Sequence, residues 1–187
     1  MSLSQCFLFS FAFLEKEPKY VCTYPGSTEA VACTRLDFCG NSSVAWNYDW
    51  SDSETIENLI IQFGIQCEDP IKLGLIGSCF LLGIVLGSVT LTRIGDVYGR
   101  RQGFMIGLAV QSTATLFVLL TSSYYFACFL CFVIGFGVTG KQYVGWNYLL
   151  EMQPKNMQVK VGTLEFIMEA AVYITVTIYF GWISKHW

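Results

Sequence analysis

Three charged side chains stand inside apolar runs long enough to cross a bilayer: Lys141, Glu165 and Glu169. Lys141 lies ten residues before Glu151, and Glu169 nine residues after Lys160. On consecutive antiparallel helices rising 1.5 Å per residue, both reach nearly the same depth, about 14 Å in. Glu165 sits one turn away on the face of Glu169. A charge near the bilayer centre costs at least about 2.5 kcal/mol, so each needs a partner or a wet cavity. Two chemistries fit: a structural Lys141–Glu169 pair, or a cavity lined for a small charged solute. Tyr143, Trp146 and Asn147 are further candidates for that lining, because aromatic faces suit organic cations. Enzyme chemistry is not expected. The only histidine, His186, lies at the chain end, no nucleophile–base pair is visible, and no metal-ligand spacing or cofactor motif occurs.

A second cluster is Arg93-Ile-Gly-Asp96-Val-Tyr-Gly99-Arg100-Arg101. It falls between the hydrophobic runs Leu73–Leu91 and Gly103–Leu120 and reads as a hairpin turn, with Gly95 and Gly99 permitting a tight reversal. Its three arginines place it on the cytoplasmic side.

The elements that position these residues follow from composition. The 187 residues are 53% hydrophobic, with mean hydropathy +0.49. Charge is unevenly spread. Of 14 acidic residues, ten lie between Glu15 and Asp69, against three basic ones, Lys16, Lys19 and Arg35. That segment reads as an acidic polar domain beside a membrane domain, and its charge argues against nucleic-acid binding. Ser4–Leu14 is apolar but short and reads as the end of a first transmembrane helix. After the hairpin, spans are expected over Tyr124–Leu150 and Val161–Ile183, with polar turns at Thr121–Ser123 and Glu151–Lys160. Small residues Gly74, Gly77, Ser78, Gly83, Gly87 and Ser88 line the Leu73–Leu91 run, a pattern that lets membrane helices approach closely. The two basic turns fall on one side and the cysteine loop on the other.

That loop, residues 15–70, carries Cys22, Cys33, Cys39 and Cys67, an even number that suggests two disulfides with three possible connectivities. Asn41-Ser42-Ser43 is an N-glycosylation sequon. Spacing of Ile56, Leu59, Ile60 and Phe63 predicts a short helix over Asp52–Phe63, capped by Ser51 or Ser53.

Asp96, Gly99, Arg100 and Arg101 resemble the signature loop of the major facilitator superfamily, Gly-x-x-x-Asp-Arg-x-Gly-Arg-Arg. The long cysteine loop, Glu17-Pro18-x-Tyr20-Val-Cys22, Phe63-x-x-x-Cys67, Glu151, Gly162-Thr163-Leu164 and His186-Trp187 resemble the organic cation, anion and zwitterion transporter family. The resemblance covers essentially the whole chain. It implies an all-α membrane protein: part of an N-terminal six-helix lobe of a twelve-helix fold, with a long disulfide-bearing outer loop. In the family the loop aspartate meets a helix N-terminus of the opposite lobe, so Asp96, Gly99, Arg100, Arg101 and Glu151 are expected to form a gate. Thr92 and Val97 stand where the signature has glycine and arginine, and Cys131 where the family has an arginine.

Two functions follow. The first is a portion of a secondary transporter for small organic ions working by alternating access. The second is a transporter-derived structural subunit of a larger membrane complex, which the altered signature positions would suit. Implied partners are the lipid bilayer, a small organic ion and the remaining lobe or other membrane subunits. The plasma membrane is the expected location, with an organellar membrane as the alternative.

Overall fold

The computed structural model describes residues 10, 13–26, 29–40, 43–52 and 55–183. Asn41, His186, Trp187 and most of the apolar stretch before Leu14 lie outside the described residues. The described residues form two compact units, one of residues 74–173 and one of those between 10 and 73 with 174–183.

In the second unit a three-stranded antiparallel sheet, ordered β2-β1-β3, is built from β1 (Tyr20–Thr23), β2 (Val31–Cys33) and β3 (Ala45–Tyr48). The strands are three or four residues long, too short for alternation to announce them in a segment this rich in breakers. β1 nonetheless alternates in burial, and Tyr20 and Cys22 turn inward onto Phe38 and Val44. Tyr20, Phe38, Trp46 and Tyr48 pack ring to ring, with centroids 4.6–5.9 Å apart. Helix α1 (Arg35–Cys39) supplies Phe38.

The helix expected over Asp52–Phe63 is shorter than its periodicity suggested. Helix α2 spans only Leu59–Phe63. Asn58, not a serine, caps it, its side-chain oxygen accepting from the Ile60 and Ile61 amides at 3.1 and 3.3 Å. The Asn58 amide nitrogen also donates to the Lys16 carbonyl. This buried residue serves a cap and a long-range tie at once, which fixes the helix start there. Gly64, in the left-handed conformation, ends α2.

Among the described residues, four helices are long and apolar enough to cross a membrane: Ile71–Tyr98, Arg100–Leu120, Tyr124–Glu151 and Lys155–Trp182. The first contains α3 (Pro70–Tyr98) and the second α4 (Arg100–Leu120). The third joins α5 (Tyr124–Thr139), a π-helical turn (Gly140–Val144) and α6 (Gly145–Glu151). The fourth joins α7 (Lys155–Ile178) and a second π-helical turn (Tyr179–Ile183). In its most apolar stretch 61% of the third span's residues are buried, against 17–28% in the others, so it is the one the rest of its unit packs around.

Small residues make that packing possible. A side chain at Gly83 would fall on the Phe132 carbonyl, and one at Gly135 on the Phe80 carbonyl, so α3 and α5 touch backbone to backbone. At the same crossing the Thr139 hydroxyl donates to the Ile84 carbonyl at 3.2 Å.

The charged hairpin also differs from expectation. Helix α3 runs through Gly95 to Tyr98, and α4 starts at Arg100. Only Gly99, at φ 101°, makes the reversal. Gly95 lies within the helix, where a Cβ would meet Val144 at 2.9 Å, making it a packing glycine instead of a turn glycine.

Candidate functional site

The π-helical turn inserts an extra residue into an otherwise α-helical span, and such turns concentrate at functional positions. Here it occupies Gly140–Val144 and buries Lys141, which is 6% exposed. The turn is wedged from α4, since a Cβ on Gly107 would meet the Lys141 amide nitrogen at 2.8 Å. Backbone contact on one side and an apolar span on the other hold the lysine stem inside the helix packing.

Helix α7 presents Glu165 and Glu169, both half-buried. The Gln142 side-chain amide donates from Nε2 to Glu169 Oε1 at 2.7 Å, tying the π turn to α7. Among the charged groups, Glu165 acts electrostatically on Lys141. The two carboxylates, one ammonium and one amide therefore converge on a single stretch of the third and fourth spans. Trp146 packs against Phe166 of α7, with ring planes tilted by 53° and centroids 5.3 Å apart, one turn from this group. Gly162 leaves room beside it, since a Cβ there would stand 3.7 Å from the indole. Tyr143 and Asn147 are exposed.

Gln142 is the participant that spacing did not point to. An amide beside a lysine in an apolar span was the available signal. The α-helical period assigns adjacent residues to directions about 100° apart, and only the π turn reveals how both are used.

At the α3–α4 junction Arg100 is central. Its Nε lies 2.9 Å from Glu151 Oε2, and one of its Nη atoms 3.7 Å from Asp96 Oδ1. Three helix ends are thus linked through one guanidinium: the end of α3, the start of α4 and the end of α6. Gly99 supplies the one-residue break that lets Arg100 follow Asp96 so closely. Arg101 is exposed and belongs to none of the pairs identified at this junction.

In the polar unit the disulfides are Cys22–Cys33 and Cys39–Cys67. The first links β1 to β2. The second ties α1 to the segment after α2. The Asp37 carboxylate accepts from the Thr34 backbone amide at 2.8 Å and the Thr34 hydroxyl at 2.9 Å. Those bonds, the backbone one first, hold its acid below the usual carboxylate range. Burial, reinforced by the Glu17 charge, pushes the Tyr20 phenol well above the usual tyrosine value. Among the described residues no cluster of His, Cys, Asp and Glu is arranged to hold a metal ion.

Comparison with known proteins adds a family. A family model described as "Sugar (and other) transporter" matches residues 22–186. The low-affinity glucose transporter HXT1 of Saccharomyces cerevisiae is 26% identical over 171 residues, covering 84% of this chain and 28% of the relative. The high-affinity hexose transporter HXT6 of the same organism is 24% identical, covering 82% of the chain and 28% of the relative. Organic cation/carnitine transporter 2 of Arabidopsis thaliana is 26% identical, covering 84% of the chain and 29% of the relative. The chain therefore spans less than a third of the length of these relatives.

Proposed function

Because the chain belongs to the sugar (and other) transporter family, within the major facilitator superfamily, we propose that it forms part of a secondary transporter for small organic ions. The observation that carries this reading is the convergence of Lys141, Gln142, Glu165 and Glu169 within two membrane spans. A neutral sugar needs hydrogen-bond donors and acceptors but no full charges, and each charge at that depth is costly. Two carboxylates against one ammonium leave a net negative charge, which favours an organic cation or a zwitterion over a simple anion. The cationic group of such a solute would take the place of the Gln142 amide on Glu169, exchanging a neutral hydrogen bond for a charge-assisted one. Trp146, packed on Phe166, offers an aromatic face one turn away.

In this reading the Arg100–Glu151–Asp96 linkage is part of a gate. It holds three helix ends together in one conformational state and releases them in the other, as alternating access requires. The transport names of the relatives support this reading over a structural-subunit role. We also propose the plasma membrane as the location, with the cysteine loop outside and Asn41 glycosylated.

Uptake by the protein in proteoliposomes tests the proposal, with a labelled quaternary ammonium, a labelled carboxylate and a labelled hexose supplied separately. Saturable uptake of the quaternary ammonium, lost in Glu169→Gln at unchanged protein level, is the expected result. Normal uptake by Glu169→Gln, or uptake of the hexose alone, would overturn it.

A further inference from the structure

Two unbridged cysteines, Cys79 and Cys128, meet beside a backbone-to-backbone crossing of the helical unit. Cys79 stands on α3 one turn before Gly83, and Cys128 on α5 one turn before Phe132. A side chain at Gly83 would fall on the Phe132 carbonyl, and one at Gly87 on the Phe136 carbonyl, so both helices run in the same direction through the crossing. One turn back along each of them, Cys79 comes level with Cys128.

The side chains follow the backbone. The Tyr124 hydroxyl donates to the Cys128 sulfur, and the Cys128 thiol donates in turn to Cys79. A disulfide needs Cα atoms no more than about 7 Å apart, and helices in backbone contact bring facing residues into that range. Exposure divides the two roles that such a bond requires. Cys79 is partly exposed, while Cys128 is only 5% exposed. A small oxidant therefore meets Cys79 first, and the buried thiol touching it stands where a resolving cysteine must be. Both residues lie in spans long enough to cross a membrane, so the oxidant must be small and uncharged. Hydrogen peroxide meets both conditions.

We propose that Cys79 and Cys128 form a dithiol that hydrogen peroxide oxidises to a disulfide joining α3 to α5. The Cys79 sulfur attacks one peroxide oxygen and the O–O bond breaks. The other oxygen leaves as water with the thiol proton, and Cys79 becomes a sulfenic acid. The Cys128 sulfur then attacks the Cys79 sulfur. The S–S bond forms, the S–O bond breaks, and a second water leaves with the Cys128 proton. Two thiols have lost two electrons, and one peroxide has become two waters. The reaction stands apart from the Lys141–Glu169 group and needs no transported solute.

The test treats the full chain in phosphatidylcholine nanodiscs with hydrogen peroxide, then denatures it, alkylates the remaining thiols with a maleimide and analyses unreduced peptides by mass spectrometry. The count of alkylated thiols should fall by two, with a linked peptide pair carrying Cys79 and Cys128 that dithiothreitol separates. Cys128→Ser should stop the reaction at a Cys79 sulfenic acid trapped by dimedone. Cys131→Ser, further along α5, should leave the link unchanged. Far-ultraviolet circular dichroism reports that each variant keeps its helices. Both thiols surviving in wild type, a link from Cys79 to Cys131, a link formed only between two chains, or a sulfonic acid on Cys79 without any link would each overturn the proposal.

Discussion

Gln142 shows how much a single side chain can decide in a membrane span. Its amide reaches Glu169 at 2.7 Å, so a half-buried carboxylate keeps a donor. Removing that donor takes away one hydrogen bond to a charged group, at a cost of about 1.5–3 kcal/mol. Gln142→Leu should therefore lower stability by that order in detergent unfolding titrations, although leucine suits an apolar span better than glutamine. An unchanged midpoint would mean the amide contributes nothing there. Arg100 behaves differently. Its partners are more than half exposed, at 58% for Asp96 and 56% for Glu151, and exposed pairs are worth about 0–1 kcal/mol. Arg100→Ala should leave stability within about 1 kcal/mol of wild type, so any large loss of the proposed uptake would report on gating.

Tyr20 gives a pH dependence with a definite sign. Burial, with Glu17 adding to it, raises the folded phenol's proton affinity above the unfolded value of about 10. Below that pH both states carry the proton and stability does not change through this group. Above it the unfolded chain ionises first, so stability falls as pH rises. The polar unit of wild type should lose stability above pH 10 more steeply than Tyr20→Phe, followed by near-ultraviolet circular dichroism.

At the scale of elements, the third span governs the helical unit because glycines let its neighbours touch its backbone. The α3–α5 crossing tolerates no side chain at Gly83 or Gly135, where the added atom would land on a carbonyl oxygen. Backbone cannot yield as a flexible side chain does, so the penalty should exceed the usual overpacking range of about 1–3 kcal/mol. Gly135→Leu is expected to abolish monodisperse, helical protein. A Cβ on Gly74 of α3 would meet nothing within 4 Å and the position is exposed, so Gly74→Leu should be tolerated, which makes it the control. Size-exclusion profiles of the two variants check this, and equal behaviour would contradict the close crossing.

For the whole molecule, the two units rest on different chemistry. The helical unit keeps its backbone bonds inside helices, as a low-polarity surrounding demands. The polar unit has a small aromatic core, three short strands and two disulfides across separations of 11 and 28 residues. Loops of that size contribute about 3 kcal/mol each in the chain-entropy account. Reduction should therefore melt the aromatic near-ultraviolet signal while the helical far-ultraviolet signal persists; loss of both together would show the units to be interdependent. What was legible in the sequence was whatever a local rule governs. Apolar run lengths gave the spans, the glycines and arginines of the charged cluster marked a reversal, and the intramembrane charges marked Lys141, Glu165 and Glu169. The signature residues, read as a pattern, pointed to the superfamily that the family match then supplied. The rest required tertiary structure because non-local contacts decide it. Cysteine pairing depends on which strands adjoin, and Gly95 became a packing residue because Val144 lies across from it. The α2 start moved to Asn58 because one side chain caps the helix and also ties it to Lys16. Gln142 joined Glu169 through a π turn that no helical period encodes.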